Sequence, residues 1–189
     1  AIYYVDHLGG RIVRVGSGLG TSIATKLTGA YIGTAPVGSS YTLDKAFDGR
    51  LDRLVTVGEG SVWIAGDAGY RVLLRFDPAS GRRVQRIDLP FAPKRVAAGE
   101  GAVWATDALE DAVWRVDPET LETTRIPVAG GPREIAVGFG AVWVVNALAG
   151  TVSEIDPAAS TVVSTLPLRV GVEDVAVGAG AVWVTGDAP

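Results

Sequence analysis

Four near-copies of one decapeptide punctuate this chain: "VGEGSVWIAG" from residue 57, "AGEGAVWATD" from 98, "VGFGAVWVVN" from 137 and "VGAGAVWVTG" from 177. Their tryptophans, Trp63, Trp104, Trp143 and Trp183, stand 41, 39 and 40 residues apart. The pairs Asp77-Pro78, Asp117-Pro118 and Asp156-Pro157 keep the same period, at 40 and 39. Two independent markers on one period leave little choice of architecture. Each unit must be one supersecondary motif that buries its apolar surface against the units before and after it. The N-terminus is in frame as well: "AIYYVDHLGGRIVRV" lies over "AVWVVNALAGTVSEI" from 141, which sets Tyr3 on Trp143 and Gly10 on Gly150.

Within a unit every segment reads as a short strand. "EIAV" (134–137), "AVWVV" (141–145), "TVSEI" (151–155) and "TVVSTL" (161–166) are rich in Val, Ile, Thr and Trp, and Gly-x-Gly, Ala-Gly and Asp-Pro turns separate them. We term these strands A, B, C and D. Helical spacing is hinted at only in "YTLDKAFDGRLDRL". Four strands in about 40 residues predict an all-β chain built of β-propeller blades. The Gly-x-Gly fits a tight A–B hairpin in which glycine supplies positive φ, and the Trp after it packs neighbouring blades face to face. A phosphate cradle is excluded, because no helix pattern follows any copy and the third glycine of a dinucleotide fingerprint is missing.

The unit "IAVGFGAVWVVNALAGTVSEIDPAASTVVSTLPL" (135–168) resembles a blade of the YVTN-type repeat propellers of bacteria, relatives of the NHL and virginiamycin B lyase propellers. The resemblance extends over nearly the whole chain outside residues 28–50. It implies the fold; the activity is left open, since this superfold hosts enzymes, sensors and adhesion modules.

Laid out by the repeat, residues 1–189 form a single propeller domain: a partial blade with strands B, C and D at 1–27, an insertion at 28–50, whole blades at 51–94, 95–133 and 134–173, and a partial blade with strands A and B at 174–189. That is about four and a half blades. Bare edges and blade faces are rarely left uncovered, so three arrangements are open: part of a longer ring, a homodimer in which two chains complete one another, or a small ring whose ends meet. Trp104 and Trp143 are expected to be buried in interior blades, with Trp143→Ala costing about 3–5 kcal/mol. Trp183 is expected to matter less unless something covers it.

Composition narrows the function classes. The 21 acidic and 17 basic side chains are spread along the chain, and no basic stripe offers a nucleic-acid footprint. There is no Cys, hence neither a disulfide frame nor a thiolate metal site. No run of 18 apolar residues predicts a membrane span. The start, "AIYYVDHLGG", is neither a Met start nor a signal sequence and reads as a processed or excised piece of something longer; the resemblance described above implies a larger bacterial protein, with an extracytoplasmic location favoured.

The resemblance implies that the D–A and B–C connections share one face, around the mouth of the central channel. Two candidate ligand-binding features fall there. The insertion carries Tyr31, Tyr41, Asp44, Lys45 and Phe47, and long loops in compact folds are more often functional than idle. At the end of strand B stand Asp6, Asp107 and Asn146 in register, with Asp67 displaced by one residue; strand A begins with Arg95, Glu134 and Asp174. These oxygen groups either cap their own turns through Asx hydrogen bonds or hold Ca2+ or Mg2+. His7 is the only imidazole and no serine has a nucleophile context, so no catalytic residue is assigned. The expected function is a non-enzymatic recognition or sensor propeller that binds a small molecule or a protein. The alternative is a metal-assisted lyase or lactone hydrolase of the virginiamycin B lyase or gluconolactonase type, with Asp6, Asp107, Asn146 and Glu134 as ligands and His7 as acid or base.

Overall fold

The computed structural model describes residues 2–6, 11–15, 23–24, 53–66, 71–168 and 171–187, and every regular element among them is a β-strand. β1 (Ile2–Asp6), β2 (Arg11–Val15) and β3 (Ile23–Ala24) form a three-stranded antiparallel sheet. Three four-stranded antiparallel sheets follow. The first is β4 (Arg53–Gly58), β5 (Ser61–Gly66), β6 (Val72–Phe76) and β7 (Arg83–Asp88). The second is β8 (Arg95–Gly99), β9 (Ala102–Asp107), β10 (Ala112–Val116) and β11 (Thr123–Pro127). The third is β12 (Pro132–Gly138), β13 (Ala141–Asn146), β14 (Thr151–Asp156) and β15 (Thr161–Pro167). A two-stranded sheet of β16 (Gly171–Gly178) and β17 (Ala181–Asp187) ends the series. Strands pair in chain order, and the first strands of successive sheets lie side by side, β4 on β8, β8 on β12 and β12 on β16. This is the blade stacking of a β-propeller.

The A–B hairpins correct one expectation. Their two loop residues are the middle residue and the second glycine: Glu59 and Gly60 (φ 49° and 66°), Glu100 and Gly101 (52° and 75°), Phe139 and Gly140 (58° and 73°), Ala179 and Gly180 (51° and 76°). Positive φ at both positions matches the twist of the flanking strands, so a non-glycine residue takes one of the two strained places. Gly58 and Gly138, the first glycines of their copies, serve close approach instead. A Cβ on Gly58 would lie 2.8 Å from both the Cβ and the carbonyl oxygen of Ala98, and one on Gly138 would lie 2.6 Å from Val177 Cγ1. The middle residue links sheets as well: the carboxylates of Glu59 and Glu100 accept from the backbone N–H of Gly101 and Gly140, each at 3.1 Å.

The indole N–H of each repeat tryptophan bonds back to the carbonyl of its hairpin's first glycine: Trp63 to Gly58, Trp104 to Gly99, Trp143 to Gly138 and Trp183 to Gly178, at 2.9–3.3 Å. The ring then meets the next sheet. Trp63 packs with Val103, Ala105 and Val116, and Trp104 with Val142, Val144 and Ile155. Both are 0% exposed. Trp143 is only partly buried, because the sheet it meets supplies Val172, Val175 and Val182 from two strands rather than four. Trp183 is 58% exposed.

The C–D turns are fixed by the aspartates of the Asp-Pro pairs. Asp77 Oδ1 accepts from the N–H groups of Ala79 and Ser80, Asp117 Oδ1 from Glu119 and Thr120, and Asp156 Oδ1 from Ala158 and Ala159, all at 2.6–3.0 Å. The N–H donors of Ser80 and Ala79 hold the Asp77 carboxyl below the usual carboxylate range; those of Thr120 and Glu119, helped by the Arg115 charge, do the same for Asp117. A carboxyl whose folded pKa lies below its unfolded value stabilises the fold above the unfolded value, and that contribution is lost as pH falls through the folded one. Melting temperature followed by circular dichroism is therefore expected to drop once the pH goes below about 4. Asp77→Asn, which keeps the acceptor and removes the titration, should make that drop shallower; an unchanged acid limb would show that these turns do not couple to unfolding.

Candidate functional site

Among the described residues, two B–C turns and the link between their sheets meet on one rim. In the sheet β8–β11 the turn is 108–111, and in β12–β15 it is 147–150. Asp107 closes the first: its Oδ1 accepts from Leu109 N (3.1 Å) and Glu110 N (3.3 Å), and its Oδ2 from Trp114 Nε1 (3.4 Å). The next group, Asp111, accepts from Gly131 N at 2.8 Å, so the turn holds the link that leads into β12. That link in turn holds the following turn, with Ala147 N on Gly131 O (2.8 Å) and Ala149 N on Gly130 O (3.0 Å). These two B–C turns are thus tied together by a chain of hydrogen bonds. Gly131 needs its φ of 71° and has no room for a Cβ, which would stand 2.5 Å from Leu148 Cγ.

Asn146 closes the second turn differently. It is fully buried, and its Nδ2 donates to Thr151 Oγ1 (3.1 Å) and Ser153 Oγ (2.8 Å). At the start of strand A, Arg95 Nε meets Glu134 at 2.8 Å across two sheets, and Arg133 Nη1 lies 3.8 Å from Glu173. Glu134 is therefore committed to an inter-sheet ion pair, and Asp174 accepts from the N–H of Val175. Among the described residues no three His, Cys, Asp or Glu side chains group closely enough to hold a metal ion.

Of the candidate binding residues, Asp107 and Asn146 occupy equivalent places and are buried inside their own turns. Asp6 ends β1. His7, Tyr31, Tyr41, Asp44, Lys45, Phe47 and Asp67 lie outside the described residues, as does the 28–50 insertion. The residues that face solvent on this rim were not among the candidates. Leu109 is 88% and Leu148 87% exposed, each two residues after the Asp or Asn that closes its turn. A signal was present: "DHL", "DAL" and "NAL" put Leu8, Leu109 and Leu148 in register, at a turn position where polar residues are usual.

In sequence the chain matches no protein-family model and no curated protein. In structure it is similar to a streptogramin B lyase, a propeller, with a TM-score of 0.65 and 18% identity over 97% of this chain and 61% of the lyase. It is similar to a Myxococcus xanthus glutaminyl cyclase (TM-score 0.56, 11% identity, 97% of this chain and 80% of the cyclase) and to the Neurospora crassa Pan2 WD40 domain (0.51, 12%, 65% and 40%). The chain thus spans about three fifths of the lyase's length. At these identities the likeness is one of fold, and it joins enzymes and a WD40 domain alike. No helix among the described residues is long and apolar enough to cross a membrane.

Proposed function

We propose that the chain is a non-enzymatic recognition propeller of the YVTN/NHL kind, which docks an apolar segment of a protein partner on the rim of B–C turns. The reading is carried by Leu109 and Leu148, two almost fully solvated leucines at one position of adjacent sheets. A single exposed leucine needs no explanation. Two at the same place, on turns fixed to each other through Asp111, Gly131 and Ala147, make a preorganised pair of anchors. Projecting side chains of this kind insert into a partner's pockets rather than enclose a small ligand. In this reading Asp6, at the end of β1, and Asp67, Tyr31, Tyr41, Asp44, Lys45 and Phe47, which lie outside the described residues, extend the surface.

Selection of a phage-displayed random peptide library on the whole chain tests it. The double variant Leu109→Ser/Leu148→Ser should bind the enriched peptides at least about tenfold more weakly, with its melting temperature unchanged, and Tyr31, Tyr41 and Phe47→Ala should weaken them further. Absence of enrichment, or equal binding by the double variant, would overturn the proposal. The fold likeness to a lyase and a cyclase supports a second reading, a metal-assisted lyase or lactone hydrolase with Ca2+ or Mg2+. It requires Asp107 and Asn146 to give up their turn bonds. Opening of a streptogramin B lactone ring by the chain with Mg2+ would favour that reading over recognition.

A further inference from the structure

Three buried side-chain polar atoms lack a partner among the described residues: Thr106 Oγ1, Asn146 Oδ1 and Arg115 Nε. All three fall on one seam. Cross-strand partners share a face of their sheet, so Thr106, opposite Val113, and Arg115, opposite Trp104, stand on the face that carries Trp104 and Val113. That face packs on Val142, Val144 and Ile155 of the next sheet. There Asn146 is opposite Thr151, and Ser153 is opposite both Val144 and Thr165. The seam between β8–β11 and β12–β15 is therefore polar at its turn-side end.

The preceding seam shows why. By the repeat spacing, Thr106 replaces Ala65, Asn146 replaces Asp107, Ser153 replaces Trp114 and Gly130 replaces Phe91. In the earlier seam the rings of Trp114 and Phe91 stack with centroids 4.9 Å apart and planes 8° off parallel, and the Trp114 indole donates to Asp107. In the later seam two aromatic side chains have become a serine and a glycine. Asn146 Oδ1 has lost the donor that its counterpart has, and the aromatic bulk beside it is replaced by smaller groups, although Thr106, Asn146 and Ser153 stay fully buried. Reversing the Asn146 amide would let the Thr151 and Ser153 hydroxyls donate but would leave the amide NH2 without a partner instead, so neither orientation satisfies the group. Arg115 Nε lies beside Trp104, at the other end of the face. Its counterpart Arg75 donates Nε–H to Ser61 Oγ at 2.7 Å, and Ala102 stands where Ser61 would be.

We propose that the turn-side end of this seam is a buried hydration site, in which internal water donates to Asn146 Oδ1 and bonds the hydroxyl of Thr106. Buried waters make about three hydrogen bonds to groups that the protein leaves unpaired, and Ser153 Oγ offers the third. Thr106→Val in the full chain separates this from a dry seam by the sign of its effect. If water is bound, the substitution removes one of its partners and the melting temperature falls by about 2–4 °C. If the seam is dry, the same substitution deletes an unsatisfied hydroxyl without changing shape, and the melting temperature rises. A high-resolution crystal structure should place ordered water within hydrogen-bond distance of Asn146 Oδ1 and Thr106 Oγ1. A rise in melting temperature, or density in which neither atom touches a water, overturns the proposal.

Discussion

Trp104→Ala is expected to lower the free energy of unfolding by about 3–5 kcal/mol, while Trp183→Ala changes it by about 1 kcal/mol or less. The two residues occupy the same place in their repeats, make the same indole-to-glycine hydrogen bond, and differ in what lies over the ring. Trp104 is sealed between its own hairpin and Val142, Val144 and Ile155 of the next sheet. Its removal leaves a void that two rigid sheets cannot close, so both the transfer term and the cavity term apply. More than half of Trp183 already faces solvent among the described residues. Urea denaturation of the two variants reads the difference, and thermal melts should show a shift on the order of 10 °C for Trp104→Ala. Trp143→Ala should fall between them, since the ring is only partly covered. Equal large losses at Trp104 and Trp183 would mean that another surface covers Trp183 in solution. Equal small losses would mean that the sheets do not stack as described.

The contrast shows which features the repeat makes legible. Period and strand content fix the blades, because each blade can bury its tryptophan only against a neighbour. How deeply each tryptophan is buried is a property of that neighbour, and Trp143 is less covered than its place in the series suggests. The hairpin was half legible. Gly-x-Gly announces a turn, but the assignment of positive φ depends on register: Glu59, Glu100, Phe139 and Ala179 take it, at a cost that the pairing of the flanking strands outweighs. At the rim, Asp107 and Asn146 stand in register, as read, but a strand-end carboxylate or amide looks the same in sequence whether it faces a ligand or closes its own turn. Only the hydrogen bonds to Leu109, Glu110, Thr151 and Ser153 decide this. Leu109 and Leu148 are not legible as solvent-facing groups, because an apolar residue in a sequence reads as core first. The insertion has neither period nor register, so residue patterns say nothing about its shape.

Gly58→Ala is expected to destabilise the chain by about 1–3 kcal/mol, whereas Gly178→Ala should be neutral or stabilising by up to about 1 kcal/mol. The new methyl at Gly58 would lie 2.8 Å from the carbonyl oxygen of Ala98 and 3.0 Å from its carbonyl carbon. A side chain could turn aside, but this is the backbone of β8, which is held in place by its pairing with β9. The first strands of two sheets would have to part, loosening the Thr56 hydroxyl from the N–H of Ala98 and the Trp63 indole from the carbonyl of Gly58. Gly138 is the intermediate case, because its methyl would meet Val177 Cγ1, a group that can rotate. A methyl on Gly178 would meet nothing within 4 Å among the described residues, so only the smaller entropy of the unfolded chain remains, and it favours alanine. Chemical denaturation of the three variants should rank them Gly58, Gly138, Gly178 in order of decreasing cost. Were all three to cost the same, the hairpin's own geometry would be what requires glycine there. A graded series would assign the residue to the spacing between sheets, which makes the first glycine of the decapeptide a packing residue and the second a turn residue.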